Sequence, residues 1–164
     1  WLYANGGSWL TPDGKPGIYG VVDTRIATGI VALTEDRQVY LVGQYRYPTK
    51  NYSWEIIEGG SEDNQSALET AKRELKEEAG RAANNWLQLG DEYHLSNCFS
   101  SEVGFVFLAS GLTEVGAEPE GTEVLQIKKV SFERAIKMVD TGEIKDGVSI
   151  VGLLRAERYL SGRL

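Results

Sequence analysis

Residues 59–80 read GGSEDNQSALETAKRELKEEAG, and the rest of the chain is best understood outward from this stretch. Two glycines open it and a polar segment with several helix-capping residues follows. From about Ser66 to Ala79 the pattern becomes helical, because Ala67, Leu68, Ala71, Leu75 and Ala79 recur at spacings of three and four and so share one face. Gly80 supplies the C-terminal stop. At roughly 100° per residue, Glu74, Glu77 and Glu78 fall together on a second face. Three stacked carboxylates repel one another unless a cation neutralises them. Oxygen-only ligands suit Mg²⁺, with Mn²⁺ as a substitute. Gly59 and Gly60 allow close backbone approach and can aim carbonyls at such an ion. An acidic helix face of this kind is ordinarily just solvated, so the surrounding pattern has to decide.

Upstream, residues 1–19 are rich in Gly, Asn, Asp and Pro, and residues 11–17 (TPDGKPG) read as a turn between two short strands. Residues 18–26 and 29–33 are rich in β-branched side chains, Glu35-Asp36-Arg37 is a polar turn, and residues 39–45 read as a central strand. Residues 48–53 read as a loop and 54–57 as a short strand before the Gly59-Gly60 break. Downstream, strands are expected at 86–89, 105–109 and 124–130, with polar loops over 96–104 and 113–123. Ser131 and Asp146 can cap helices running to about Val139 and Leu160. Strands mixed with a few helices, with no repeat and no linker, indicate one α/β or α+β domain over residues 1–164.

Composition narrows the function classes. The chain has 164 residues, is 41% apolar and carries a formal net charge of −7. That charge argues against nucleic acid or an anionic membrane as partner. No apolar run nears the roughly 20 residues that cross a bilayer. Cys98 is the single cysteine, which excludes an internal disulfide and fits a reducing cytoplasm; it reads as a small buried strand residue. His94 is the single histidine, so a His-based triad or zinc cluster is excluded.

The segment from Gly59 through Arg73-Glu74-Leu75-Lys76-Glu77-Glu78-Ala79-Gly80 resembles the Nudix box, G-x5-E-x7-R-E-U-x-E-E-x-G-U with U apolar. Two positions depart from it: Gln65 stands where the family has Glu, and Arg81 where it has an apolar residue. Residues 12–20, 43–48 and 54–60, with Ser100-Ser101-Glu102, look like the ADP-ribose pyrophosphatase branch. The resemblance implies an α/β/α sandwich around a mixed central sheet. It also implies a homodimer, to which an antiparallel strand extension over residues 1–27 would contribute.

By the same resemblance Glu74 and Glu78 are the leading metal ligands, with Glu77 and the backbone carbonyl of Glu58 beside them. Glu77 and Glu78 would share the catalytic work with a late-loop carboxylate, Glu120 or Glu123, Glu118 lying in the same loop. Arg46 could clamp a phosphate or sit in a surface ion pair. Glu55 could bond a sugar or a ring nitrogen, or pair with an arginine. Arg73 is expected to brace the box. Tyr3, Trp9, Tyr19 and Trp54 could stack on a base, or belong to core or dimer contacts. The implied activity is Mg²⁺-dependent hydrolysis of a nucleoside-diphosphate sugar, ADP-ribose first and GDP-mannose next, to nucleoside monophosphate and sugar phosphate. Gln65 keeps a second reading open, a nucleotide sensor that binds without cutting. A third is a structural calcium-binding helix.

Overall fold

Two strands buried on both faces organise the molecule: β3 (Ala27–Ala32) and β9 (Val103–Glu114) run parallel, with Ile30 beside Phe107. The computed structural model describes residues 3–116 and 125–163, with side chains from Gly6 onward. The sheet has the order β6-β3-β9-β7, where β6 (Ile57–Gly60) and β7 (Arg81–Gln88) are antiparallel additions and the short β8 (Tyr93–His94) also pairs with β9. Beside it lies an antiparallel sheet of β4 (Gln38–Arg46), β5 (Asn51–Glu55) and β10 (Gln126–Ser131), in the order β10-β4-β5.

Side chains alternate across a strand, so the apolar runs of β3 and β9 feed two cores. Ile30, Ala32, Phe107 and Ala109 pack with Ala71, Leu75 and Ala79 of α1 (Ala67–Ala79). Val31, Val106 and Leu108 pack with α2 (Phe132–Asp140) and α3 (Gly147–Leu160) through Phe132, Met138, Val148 and Leu153. Leu75 and Leu153 are wholly buried, each stabilising by about 1.5–3 kcal/mol. The result is the α/β/α sandwich with a mixed central sheet. The N-terminal extension is a hairpin of β1 (Tyr3–Leu10) and β2 (Pro16–Asp23), tied on by backbone bonds between Val22 and both Phe99 and Ser101.

The expected helices match closely: Ser66, Ser131 and Asp146 are the N-caps and Gly80 the C-cap. Three strand expectations need correction. The double glycine does not break the chain but completes β6, pairing with Thr28 and Ala27. β5 begins at Asn51 inside the expected loop, because its backbone pairs with β4 as far as Arg46. β7 begins at Arg81 rather than Trp86, since its polar residues face outward at a sheet edge. Cys98 is exposed, not buried, because it sits in the loop before β9 rather than in a strand.

Candidate active site

The local rules that start and stop α1 aim its carboxylates. Ser66 Oγ accepts from the Glu69 N–H at 3.3 Å, and Glu69 accepts from the Ser66 N–H at 2.9 Å. This reciprocal cap is worth about 0.5–2 kcal/mol. At the far end Gly80 adopts φ 61 and donates to the carbonyls of Leu75 and Lys76, a conformation glycine enters without Cβ strain. Between these ends the apolar stripe docks on the sheet, and Glu74 and Glu78 go under β6, only 8% and 7% exposed. The Glu58 N–H donates to Glu78 Oε2 at 3.3 Å. A Cβ on Gly59 would lie 1.9 Å from Glu74 Oε1, so the missing side chain is what lets the carboxylate lie against the strand.

Glu77 is half-buried beside them. Arg73 ties the turn together, with ion pairs to Glu74 at 2.7 Å and Glu77 at 2.6 Å and a hydrogen bond to the Gly60 carbonyl at 2.9 Å. It is the expected brace. Gln65 Oε1 accepts from the Glu62 N–H, Thr70 Oγ1 and Arg73 Nε at 3.2, 3.3 and 3.5 Å. The residue thus keeps the acceptor part of the carboxylate it replaces. Arg81 stands at the apolar position with its guanidinium 5.4 Å from the Tyr40 ring centroid and paired with Glu114 at 2.6 Å.

Glu74, Glu77 and Glu78 open onto a cleft of about 1160 Å³. The opposite wall carries Arg46, Glu55, Glu58, Glu102 and Asp146. Arg46 grips Glu55 through Nε at 3.0 and 3.1 Å and reaches Glu58 Oε1 at 2.9 Å through Nη2. These bonds raise the arginine's proton affinity further. Glu55 is 2% exposed, so of its two expected roles the structure displays the pairing with arginine. Asp146 caps α3 by accepting from the Ser149 N–H at 2.7 Å, and the buried Ser149 Oγ accepts from the Ile56 N–H at 3.0 Å. Burial, and next the charges of Asp146 and Glu55, push the Glu58 carboxyl well above the usual carboxylate range. Burial and Asp146 raise Glu102 as well.

Asp146 escaped the sequence reading as a site residue, and so did the side chains of Glu58 and Glu102. Their only local signals were a helix cap and a strand end. Trp54 is not among the residues lining the cleft. Alternation along β5 points Ser53 and Glu55 inward, while the Trp54 ring packs with Tyr52 at 5.5 Å and under Lys128 Nζ at 3.5 Å. Tyr19 belongs to the hairpin, where it meets Trp9 edge-on at 5.6 Å and donates to the Cys98 carbonyl. Glu118, Glu120 and Glu123 lie outside the described residues.

Comparison with known proteins adds three findings. A family model described as the NUDIX domain matches residues 23–149. The chain is 31% identical over 137 residues to an ADP-ribose pyrophosphatase of Bacillus subtilis, covering 82% of this chain and 74% of that one. It is 32% identical over 145 residues to an ADP-ribose pyrophosphatase of Mycobacterium tuberculosis (87% and 70% covered) and 32% identical over 143 residues to a GDP-mannose pyrophosphatase of Yersinia pestis (79% and 70% covered). A solved structure of an ADP compounds hydrolase superposes with a TM-score of 0.87 at 22% identity, over 99% of this chain and 89% of the other.

Proposed function

The chain belongs to the NUDIX family, and on that premise we propose that it hydrolyses the diphosphate linkage of nucleoside-diphosphate sugars. ADP-ribose is the leading substrate and GDP-mannose the next, with nucleoside monophosphate and sugar phosphate as products. The observation that carries this reading is the fit of the Glu74 carboxylate against side-chain-free Gly59, with Glu78 receiving the neighbouring N–H. A helix face that merely meets solvent has no need of such a cradle.

The donor set fits a hard divalent cation, Mg²⁺ or Mn²⁺. Glu74 and Glu78 would hold it, with Glu77 and the Glu58 carbonyl alongside. When bound, such an ion neutralises the diphosphate and acidifies a coordinated water. The chain's own residues do the rest. Arg73 holds Glu74 and Glu77 in register. Arg46, anchored by Glu55, offers its outer edge to a phosphate. Glu77 and Glu78, with Glu120 or Glu123 from the late loop, take the proton of the attacking water. Gln65 retains its hydrogen-bond acceptor role, so its presence does not favour a sensor that binds without cutting.

Residues 1–164 form one domain in this reading, and the β1–β2 hairpin serves a homodimer. Support comes from its exposed apolar residues, with Trp9 51%, Leu10 67% and Ile18 87% accessible. Trp9 and Tyr19 of the hairpin could then meet the base of a partner's substrate. No helix among the described residues is long and apolar enough to cross a membrane. A lone cysteine suits a cytoplasmic setting.

The test is incubation of the purified chain with ADP-ribose, GDP-mannose or nucleoside triphosphates and Mg²⁺, followed by phosphorus NMR. AMP and ribose 5-phosphate are expected from ADP-ribose. Saturable binding with no products would make the protein a sensor and overturn the proposal, and so would consumption of triphosphates alone.

A further inference from the structure

Thr28, near the start of β3, has no exposed surface, and its Oγ1 has no hydrogen-bond partner among the described residues. Of the described residues with a buried side-chain atom lacking a partner, Thr28 alone is buried as a whole. Such a hydroxyl costs stability, and it calls for an explanation in what the site binds or does. Valine would offer the same branched shape at that strand position without the cost.

The sheet fixes where this side chain points. Side chains alternate along β3. Gly29 faces Val148 of α3 and Ile30 packs with α1, so Thr28 faces α1. Its partner across the ladder is Gly59, the residue whose Cβ position lies 1.9 Å from Glu74 Oε1. Directly opposed Cβ positions in an antiparallel pair stand about 4.5–5.5 Å apart, which puts the Thr28 hydroxyl beside the Glu74 carboxylate. Thr28 and Glu74 line the same cleft. We propose that Thr28 is a positioning residue for α1, its hydroxyl donating to Glu74 when a divalent ion draws that carboxylate into coordination. The inference rests on the reading of Glu74 as a metal ligand. A carboxylate accepts up to about four hydrogen bonds, so Glu74 can take this one alongside its Arg73 pair. Arg73 then steadies the carboxylate from the helix and Thr28 from the sheet, and groups that orient a ligating carboxylate set how well it holds the ion.

The test is the Mn²⁺ affinity of the full chain without nucleotide, read by electron paramagnetic resonance, in wild type, Thr28→Val, Thr28→Ala and Thr28→Ser. Thermal melts in a metal chelator accompany it. Valine keeps the branched shape and removes the hydroxyl, whereas serine keeps the hydroxyl. Thr28→Val should bind Mn²⁺ about 10-fold to 100-fold more weakly than wild type, while its metal-free Tm equals or exceeds that of wild type. Thr28→Ser should bind close to wild type. Thr28→Ala carries the same prediction for Mn²⁺ if Thr28→Val does not fold. Wild-type affinity in a folded Thr28→Val or Thr28→Ala would overturn the proposal. So would a Thr28→Ser as weak as Thr28→Val, since volume rather than the hydroxyl would then be the cause. Absence of Mn²⁺ binding in wild type would instead defeat the metal reading of α1, and this proposal with it, so the two failures are distinguishable.

Discussion

Replacing Gly59 by alanine tests the geometry of the α1 wall with a single methyl group. The added Cβ would stand 1.9 Å from Glu74 Oε1, 2.1 Å from its Cδ and 2.7 Å from Oε2. Ordinary contact begins near 3.4 Å, so the carboxylate must retreat by about 1.5 Å or the strand must move. A misplacement on the order of 1 Å can cost roughly a hundredfold in rate, which is about 2.7 kcal/mol of transition-state stabilisation. We therefore expect kcat/KM for ADP-ribose to fall by at least about a hundredfold. Overpacking adds a stability cost of roughly 1–3 kcal/mol, or about 2–4 °C in Tm per kcal/mol for a chain of this size. Gly60→Ala is the matched control, because nothing lies within 4 Å of its added Cβ. Steady-state kinetics and thermal melts on both variants decide the matter. Wild-type turnover in Gly59→Ala, or equal damage in both, would refute the cradle.

Glu78→Gln should lower kcat by at least about a hundredfold while circular dichroism and Tm stay near wild type; normal turnover with Mg²⁺ would remove Glu78 from its role. Gln65→Glu should stabilise the protein, since the Glu62 N–H, Thr70 Oγ1 and Arg73 Nε all donate to Oε1 and charging it strengthens these bonds by about 0.5–1.5 kcal/mol; a melt showing a lower Tm would contradict this. The Ser66 hydrogen bonds hold the Glu69 carboxyl below its ordinary value of 4.5. Their contribution is thus present above that value and lost as pH falls through the lowered one. The Tm gap between wild type and Glu69→Gln should accordingly be widest near neutral pH and close in acid, as a series of melts would show.

The parts of the fold that were legible in the sequence are those set by near neighbours. Ser66, Ser131, Asp146 and Gly80 cap their helices as read because capping is decided within three or four residues. Glu74, Glu77 and Glu78 line one cleft because helical period fixes their common face. The opposite wall was harder to see. It is assembled from β4, β5, β6, the segment before β9 and the start of α3, and nothing near Asp146 announces that its cap opens onto Glu58, far away in sequence. Trp54 could be read either as a base-stacking ring or as a core or dimer contact; its neighbour Glu55 faces the cleft, and the indole packs instead with Tyr52 and Lys128. The edge strand β7 was read short because its first residues need no apolar pattern when only one side pairs.

The placement of Glu58 and Gly59 on successive positions of β6 makes the cleft sensitive to reading frame in a literal sense. Sliding β6 by one residue along β3 would exchange the two, pushing a glutamate into the space kept clear for Glu74 and withdrawing it from Arg46. Inserting one residue within Ile56–Glu58 would therefore scramble both walls at once. The same insertion in the polar connection over 61–65 leaves the strand pairing untouched. Of these two segments, only the seam between strand and helix can lengthen without disturbing the pairing of β6.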